Sequence, residues 1–374
     1  MTTRRIYDAA IVGGGPAGAA TALRLARRGL RAALCVRPAY DRPSLGEMLP
    51  PQGRAALEDL ELWPPFAAAG HLAAPGIVRG WETAEPREQH YLCNPYGCGW
   101  RLDRSRFDDM LVSAAASAGA AVLPFAVASI GAQGEVWELA GDGHGTVRAR
   151  FLVDASGRGA AIARRLGAAR RRRDGLIALA GQLDAPCDDP RLLLEACPAG
   201  WWHSGPLPCG KVAAVLMTDA DLLPRGRAAQ YRHWRGALRA APLTLATIGE
   251  EIAPRRLRCV SAAGGLTQPP IGPRWLAVGD AAASFDPLSS RGIPQALETA
   301  RRAAAAIEAS LDGDDTALDG YADWLGEDFT AYLALRSYYY ALVTRFPDSP
   351  FWRRRGAAAS FRGALPAWAG EACG

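Results

Sequence analysis

Short apolar runs alternate with alanine-rich stretches of helical spacing, and this alternation predicts the elements in order. An apolar run through Ala9, Ala10, Ile11 and Val12 stops at three glycines and opens into an alanine-rich segment from Ala19 to Gly29, which reads as strand, tight turn and helix. Arg31 to Val36 reads as a second parallel strand. Phe107, Leu111 and Ala114 or Ala115 recur at core spacing in a helix ending near Gly119, and Val122 to Ile130, Glu135 to Leu139 and Thr146 to Val153 follow as consecutive strands. A short helix reaches Leu166. From about residue 171 to 260 the pattern changes to separated strands and turns, with strands at Gly175 to Leu183, Lys211 to Met217 and Arg255 to Ser261, as in an antiparallel sheet. Arg274 to Val278 is a further strand stopping at Gly279-Asp280. A long alanine-rich helix runs from near Pro294 to about Leu311, and the chain beyond Asp312 reads as helical.

The pattern predicts an α/β (α+β) fold with three parts. Residues 1–65, 100–170 and 262–311 form a Rossmann-like nucleotide-binding domain, 66–99 and 171–261 an interleaved antiparallel-sheet substrate domain, and 312–374 a C-terminal helical region. Charge changes this picture little: 43 basic against 38 acidic residues leave +5, and the runs Arg170 to Arg173 and Arg353 to Arg355 read as solvated faces, so no nucleic-acid partner is expected. Lys211 is the only lysine in the chain. The eight cysteines are scattered without a C-x-x-C pair, which fits a reducing cytoplasmic setting, and Cys93 and Cys98 read as two unlinked thiols in a turn-rich segment. No metal spacing occurs, and no apolar span is long enough for a membrane helix.

Candidate chemistry gathers at the breaks in the pattern. In Gly13-x-Gly15-x-x-Gly18, Gly13 permits the turn, Gly15 lets backbone approach phosphates and Gly18 lets the helix pack on the strand, with Ala17 in the first helical turn; a helix N-terminus aimed in this way is a dinucleotide site. The acid that normally holds the ribose about 20 residues later is replaced by Val36, with Arg37 next to it as a substitute. Glu47 is a single acid among apolar neighbours in a turn-rich loop and a candidate for proton transfer. Arg104 opens a helix, either facing Asp108 across one turn or meeting a cofactor phosphate. The segment from Gly200 to Pro208 reads as too polar and too broken for a core strand. If it is extended, Trp201 and Trp202 point to opposite faces, one into the core and the other onto a cavity, while His203 is either an ordinary hydrogen-bonded histidine or a proton carrier.

Three fingerprints in this order, Gly13 to Gly18, Asp154-x-x-Gly157 and Gly279-Asp280-Ala281, resemble the superfamily of flavin-dependent aromatic hydroxylases and halogenases. The resemblance implies non-covalent FAD, with Asp154, Gly157 and Asp280 at the cofactor and backbone amides of Gly292 and Ile293 at the isoalloxazine ring. Electrons would come from NAD(P)H or a separate flavin reductase. Phe285-x-Pro287-x-x-Ser290-x-Gly292 is similar to the signature of the halogenases and brings Ser290 into the catalytic set. Their Trp-x-Trp-x-Ile-Pro motif is broken, mapping onto Trp201, His203, Gly205 and Pro206, and their lysine is missing from the first hundred residues; arginine is a poor substitute for an ammonium that delivers hypohalous acid.

The segments at 200–208, 217–222, 285–290 and 350–353 resemble a subgroup of flavoproteins that mature tryptophylquinone cofactors. That resemblance implies hydroxylation, by reduced FAD and O2, of a tryptophan in a precursor polypeptide. Trp201, Trp202 and Pro206 would wall the cavity, with Glu47 or His203 moving protons. The alternatives are a hydroxylase or halogenase of a small aromatic substrate, and a flavin-bearing binding protein or chaperone without oxidation chemistry of its own.

Overall fold

The computed structural model describes residues 5–37, 45–141, 145–249 and 253–357. Its first sheet is mainly parallel, ordered Ile271–Gly272, Trp275–Ala277, Thr146–Asp154, Ile6–Val12, Ala32–Val36 and Ala121–Pro124. Ala9, Ala10 and Ile11 are fully buried, as a central parallel strand covered on both faces requires. The helices Pro16–Arg27 and Gly292–Leu311 pack on one another through small side chains, among them Ala20, Ala300 and Ala304. That close approach sets both helix N-termini beside the same sheet edge.

The run from Val122 to Ile130 is two strands, not one. Ala121–Pro124 joins the parallel sheet, whereas Val127–Gln133 pairs antiparallel with Val136–Gly141. Pro124 has no N–H to continue a ladder, and the buried Phe125 turns the chain with its own N–H donated to the Val36 carbonyl at 2.8 Å.

The second sheet has seven strands in the order Leu257–Ser261, Leu176–Leu183, Val212–Asp219, Gly200–Pro206, Leu192–Cys197, Gly76–Gly80 and Arg87–His90. All neighbours are antiparallel except Leu192–Cys197 and Gly76–Gly80, which run parallel. The broken-looking Gly200–Pro206 segment is thus a central strand, laddered on both sides. Its glycines admit neighbours instead of ending the strand: a Cβ at Gly200 (φ +141°) would lie 2.0 Å from the Met217 carbonyl oxygen, and one at Gly205 (φ +145°) 1.9 Å from the Arg101 guanidinium.

Helix Thr316–Ala341 and the short Pro350–Ala357 lie against one face of this sheet, Tyr340, Phe351 and Trp352 sharing a buried cluster with Trp201 and Val215. The Trp352 indole N–H donates to the Cys197 carbonyl at 2.8 Å, and the buried Arg355 guanidinium donates to both oxygens of the buried Asp219 at 2.7 and 3.0 Å. Cys93 and Cys98 are free thiols, and Cys373 lies outside the described residues. Among the described residues no helix is long and apolar enough to cross a membrane and no cluster could hold a metal ion.

Candidate active site

The three fingerprints converge on the start of helix Pro16–Arg27. Gly13 has φ +124°, and a Cβ there would lie 2.2 Å from the Ala155 carbonyl oxygen; one at Gly18 would lie 1.9 Å from the Gly13 carbonyl oxygen and 2.9 Å from Ala155 Cβ. Gly279 (φ +56°) stands against Ala17, 2.6 Å from its Cβ by the same construction. The helix begins after Gly15 with Pro16 and no side-chain cap, so its first-turn N–H groups face outward for an anion. Val36 stands where the ribose acid was expected and lies over Gly14, whose Cβ position is 2.8 Å from Val36 Cγ2. Arg37 is exposed.

Two of the expected cofactor residues are taken up by the protein itself. Asp154 is fully buried; Oδ1 accepts from the Ser156 N–H at 2.8 Å and Oδ2 from Ile162 and Ala163 at 3.1 and 2.7 Å, so its carboxylate caps the next helix and does not reach out to a ligand. Burial still holds its pKa above the ordinary carboxylate value. Gly157, by contrast, has open space where a Cβ would be. Arg104 donates to Glu47 Oε1 at 3.1 Å and to both oxygens of Asp108 at 3.2 Å, and although burial opposes its charge, these two acids raise its pKa. Glu47 also accepts from the Leu45 N–H at 2.9 Å. It is therefore an ion-paired loop anchor, not the isolated carboxylate that its apolar neighbours suggested. Asp280 is one-third exposed beside Arg158, whose Nε lies 3.3 Å away.

The loop from Phe285 to Gly292 is clamped from behind. Asp286 is buried; it accepts from Tyr340 Oη at 2.8 Å, Arg336 Nε at 3.0 Å and the Leu288 N–H at 3.0 Å, and its own N–H donates to Tyr332 Oη at 2.7 Å. Arg336 is also paired with Asp174. Pro287 opens a single tight turn that ends at Ser290 in the left-handed region (φ +48°). Gly292 then starts the long helix with nothing within 4 Å of a Cβ, which leaves its backbone open to a flat ring, while Ile293 is buried beneath it.

In front of the loop is a cavity of about 770 Å³. Ser290 and Pro294 form one side, Ile77 and Leu194 of the second sheet with Trp81 just beyond strand Gly76–Gly80 another, and Tyr332 and Tyr339 of helix Thr316–Ala341 a third. Trp201, Trp202 and Pro206 are not part of this wall. Trp201 is fully buried, donating from its indole N–H to Tyr340 Oη at 2.9 Å and meeting Trp81 edge-on at 5.9 Å. Trp202 is fully buried on the opposite face against Trp234 at 5.1 Å. Both indoles are core, because the strand is central and both of its faces are covered. The wall residue Trp81 lies in the stretch 66–99, which the sequence pattern assigns to the antiparallel-sheet domain without singling out a side chain.

His203 shares the Trp201 face, its Cε1 3.3 Å from the Cβ position of Gly46. Burial and the adjacent Arg101 guanidinium push its imidazole down to about 3, so it is neutral at physiological pH and supplies no proton. Arg101 is fully buried, bonded to the carbonyls of Ser204 at 2.8 Å and Gly46 at 3.4 Å, and burial pushes it down to about 10.

No protein-family model matches the chain. LodB of Marinomonas mediterranea, named as an FAD-dependent oxidoreductase, is 29% identical over 363 residues, covering 94% of this chain and 97% of that protein. Among solved structures, the myxobacterial chondrochloren halogenase CndH matches with a TM-score of 0.83 at 23% identity, over 94% of this chain and 86% of that one. The chain is thus similar over nearly its whole length to a protein named as an FAD-dependent oxidoreductase, and it shares the fold of an FAD-dependent halogenase. QhpG, a peptidyl tryptophan dihydroxylase essential for tryptophylquinone cofactor biogenesis, matches with a TM-score of 0.80 at 24% identity, over 94% of this chain and 79% of that one.

Both LodB and CndH are FAD-dependent by name. The residues present fit the cofactor: an uncapped helix N-terminus for the pyrophosphate, Gly157 and Gly292 open to a close approach, and a cavity beside the ring-binding loop.

Proposed function

We propose that the protein hydroxylates a tryptophan side chain presented by a partner polypeptide during quinone-cofactor maturation. The observation that carries this reading is the content of the cavity: its lining includes the aromatic side chains Trp81, Tyr96, Tyr332 and Tyr339 and holds no lysine, while the chain's single lysine, Lys211, lies in a separate groove paired with Asp184 at 3.3 Å. The ammonium that halogenation requires is thus absent from the place where an aromatic ring would meet the flavin. The fold likeness to a peptidyl tryptophan dihydroxylase supports the same direction. At the mouth, Tyr96 lines the cavity and is 38% exposed, an apolar surface suited to a polypeptide approaching from solvent.

When bound, FAD supplies the electrons that activate O2, its own reduction coming from NAD(P)H or a flavin reductase. The helix start after Gly15 would hold the pyrophosphate, with Gly157 and Asp280 close by, and the amides of Gly292 and Ile293 would hold the ring. Asp286, anchored by Tyr340 and Arg336, fixes the loop so that Ser290 and Pro294 face the cavity. Leu194, Trp81 and Tyr332 exclude water from the reacting ring.

The experiment is co-expression of the protein with a candidate quinoprotein precursor, followed by peptide mapping. One or two added oxygens on a single tryptophan, lost when the protein is omitted, are expected. An unmodified precursor in a strain that reduces flavin normally contradicts the reading. The halogenase-like Phe285 to Gly292 loop and the fold shared with CndH favour, as second reading, a hydroxylase or halogenase of a small aromatic substrate. Turnover of free tryptophan or a phenol distinguishes it.

A further inference from the structure

Of the charged side chains that line the cavity, the fold pairs three and leaves two. Asp286 is held by Tyr340 and Arg336, Arg336 also by Asp174, and Arg291 by Asp328 at 2.5 Å and Gln295 at 3.1 Å. Arg79 and Glu82 line the same cavity with Nε and Oε2 buried and without a partner among the described residues. Arg345 lies close enough to respond to the Glu82 charge, but its hydrogen bonds run from Nη2 to the carbonyls of Gly80, Trp81 and Ala196 at 3.0, 3.2 and 3.3 Å and not to Glu82 Oε2.

The backbone that carries the two groups is fixed. Arg79 sits in strand Gly76–Gly80, and Trp81, between the pair, donates its indole N–H to the Tyr339 carbonyl at 2.8 Å and packs edge-on against Trp201, Tyr340 and Trp352. Buried polar atoms are ordinarily satisfied, and an exception calls for a partner that arrives later. A cation and an anion three residues apart on a rigid segment complement a ligand offering a carbonyl oxygen and an N–H a few ångströms apart, which is the main chain of an amino-acid residue.

We infer that Arg79 and Glu82 form a substrate clamp. The guanidinium donates to a carbonyl oxygen of the substrate residue and the carboxylate accepts an N–H from it, so that the aromatic side chain extends past Leu194 toward Ser290. The inference rests on the reading of the substrate as a tryptophan residue of a polypeptide. It assigns specificity to main-chain polarity at one end of the cavity and to apolar shape at the other.

The test is a binding titration of the oxidised FAD holoenzyme with a tryptophan-centred peptide blocked at both ends, followed by perturbation of the flavin absorbance. Arg79→Met and Glu82→Gln are each expected to bind about ten- to a hundredfold more weakly than the unaltered protein, the effect of losing a charge-assisted hydrogen bond. FAD affinity and melting temperature should be unchanged, and Glu82→Asp should recover part of the binding. Both variants within twofold of the unaltered protein, with peptide binding intact, would overturn the clamp and leave the polypeptide reading standing. Free tryptophan binding more tightly than the blocked peptide, with the same losses in the variants, would support the clamp and overturn the polypeptide reading. Binding of neither ligand would overturn both.

Discussion

At the scale of single residues, the unusual positions are those where the sequence departs from the pattern of the flavoproteins it resembles. Val36 replaces the acid that usually holds the ribose, and its methyl groups lie over Gly14 at the mouth of the glycine turn. Val36→Glu should therefore tighten FAD by about ten- to a hundredfold, the worth of one charge-assisted hydrogen bond. Titration of apoprotein with FAD measures it, and unchanged affinity would show that Arg37 or the backbone already fills the role. His203 makes a second prediction through linkage. Its native imidazole stays neutral down to about pH 3, whereas in the unfolded chain it takes up a proton near 6.5. The unfolded state binds the extra proton, so stability falls as pH drops from 6.5 toward 3, by up to about 1.4 kcal/mol per pH unit. Denaturant unfolding at several pH values should give a shallower acid slope for His203→Asn than for the unaltered protein. Parallel slopes would mean that the native histidine also protonates.

Elements were legible in the sequence where their causes are local. The glycine turn, the parallel strands and the alanine-rich helices follow from backbone geometry and periodicity within a few residues of each other. Strand Gly200–Pro206 was misread because its glycines and polar side chains answer to distant neighbours: Gly205 makes room for Arg101, and Gly200 for the Met217 carbonyl. The cavity wall was hidden for the same reason, since Trp81 is fixed by Tyr339 and Trp201 by Tyr340, partners more than a hundred positions away. Glu47 and Asp154 were found as special acids, but their partners Arg104 and the Ile162 and Ala163 amides, which decide their roles, become visible only in three dimensions. The docking of helix Pro350–Ala357 gives the prediction at this scale. Arg355 and Asp219 are 5% and 2% exposed and bonded through both carboxylate oxygens, so Asp219→Asn leaves a buried guanidinium without its counter-charge. A loss of about 3–5 kcal/mol in urea unfolding is expected. A change below about 1 kcal/mol, the range of an exposed pair, would indicate that the helix end is open to water in solution.

For the whole molecule, the Phe285 to Gly292 loop, the second sheet and the C-terminal helices meet at one cavity, and the network from Asp174 through Arg336 and Asp286 to Tyr340 and Trp201 ties all three together. That loop, the sheet and the helices that pack on them are thereby held in one register, which the proposed reaction needs in order to bring an oxidant and an aromatic ring together in a dry site. The central claim is that this site oxygenates a polypeptide tryptophan and does not halogenate. The most direct measurement is a single reaction containing the FAD holoenzyme, a flavin reductase with NADH, O2, bromide, a candidate precursor protein and free tryptophan, with every product weighed by mass spectrometry. Mass gains in steps of one oxygen, confined to the precursor protein, are predicted; bromine in any product, or efficient oxidation of the free amino acid, would contradict the account.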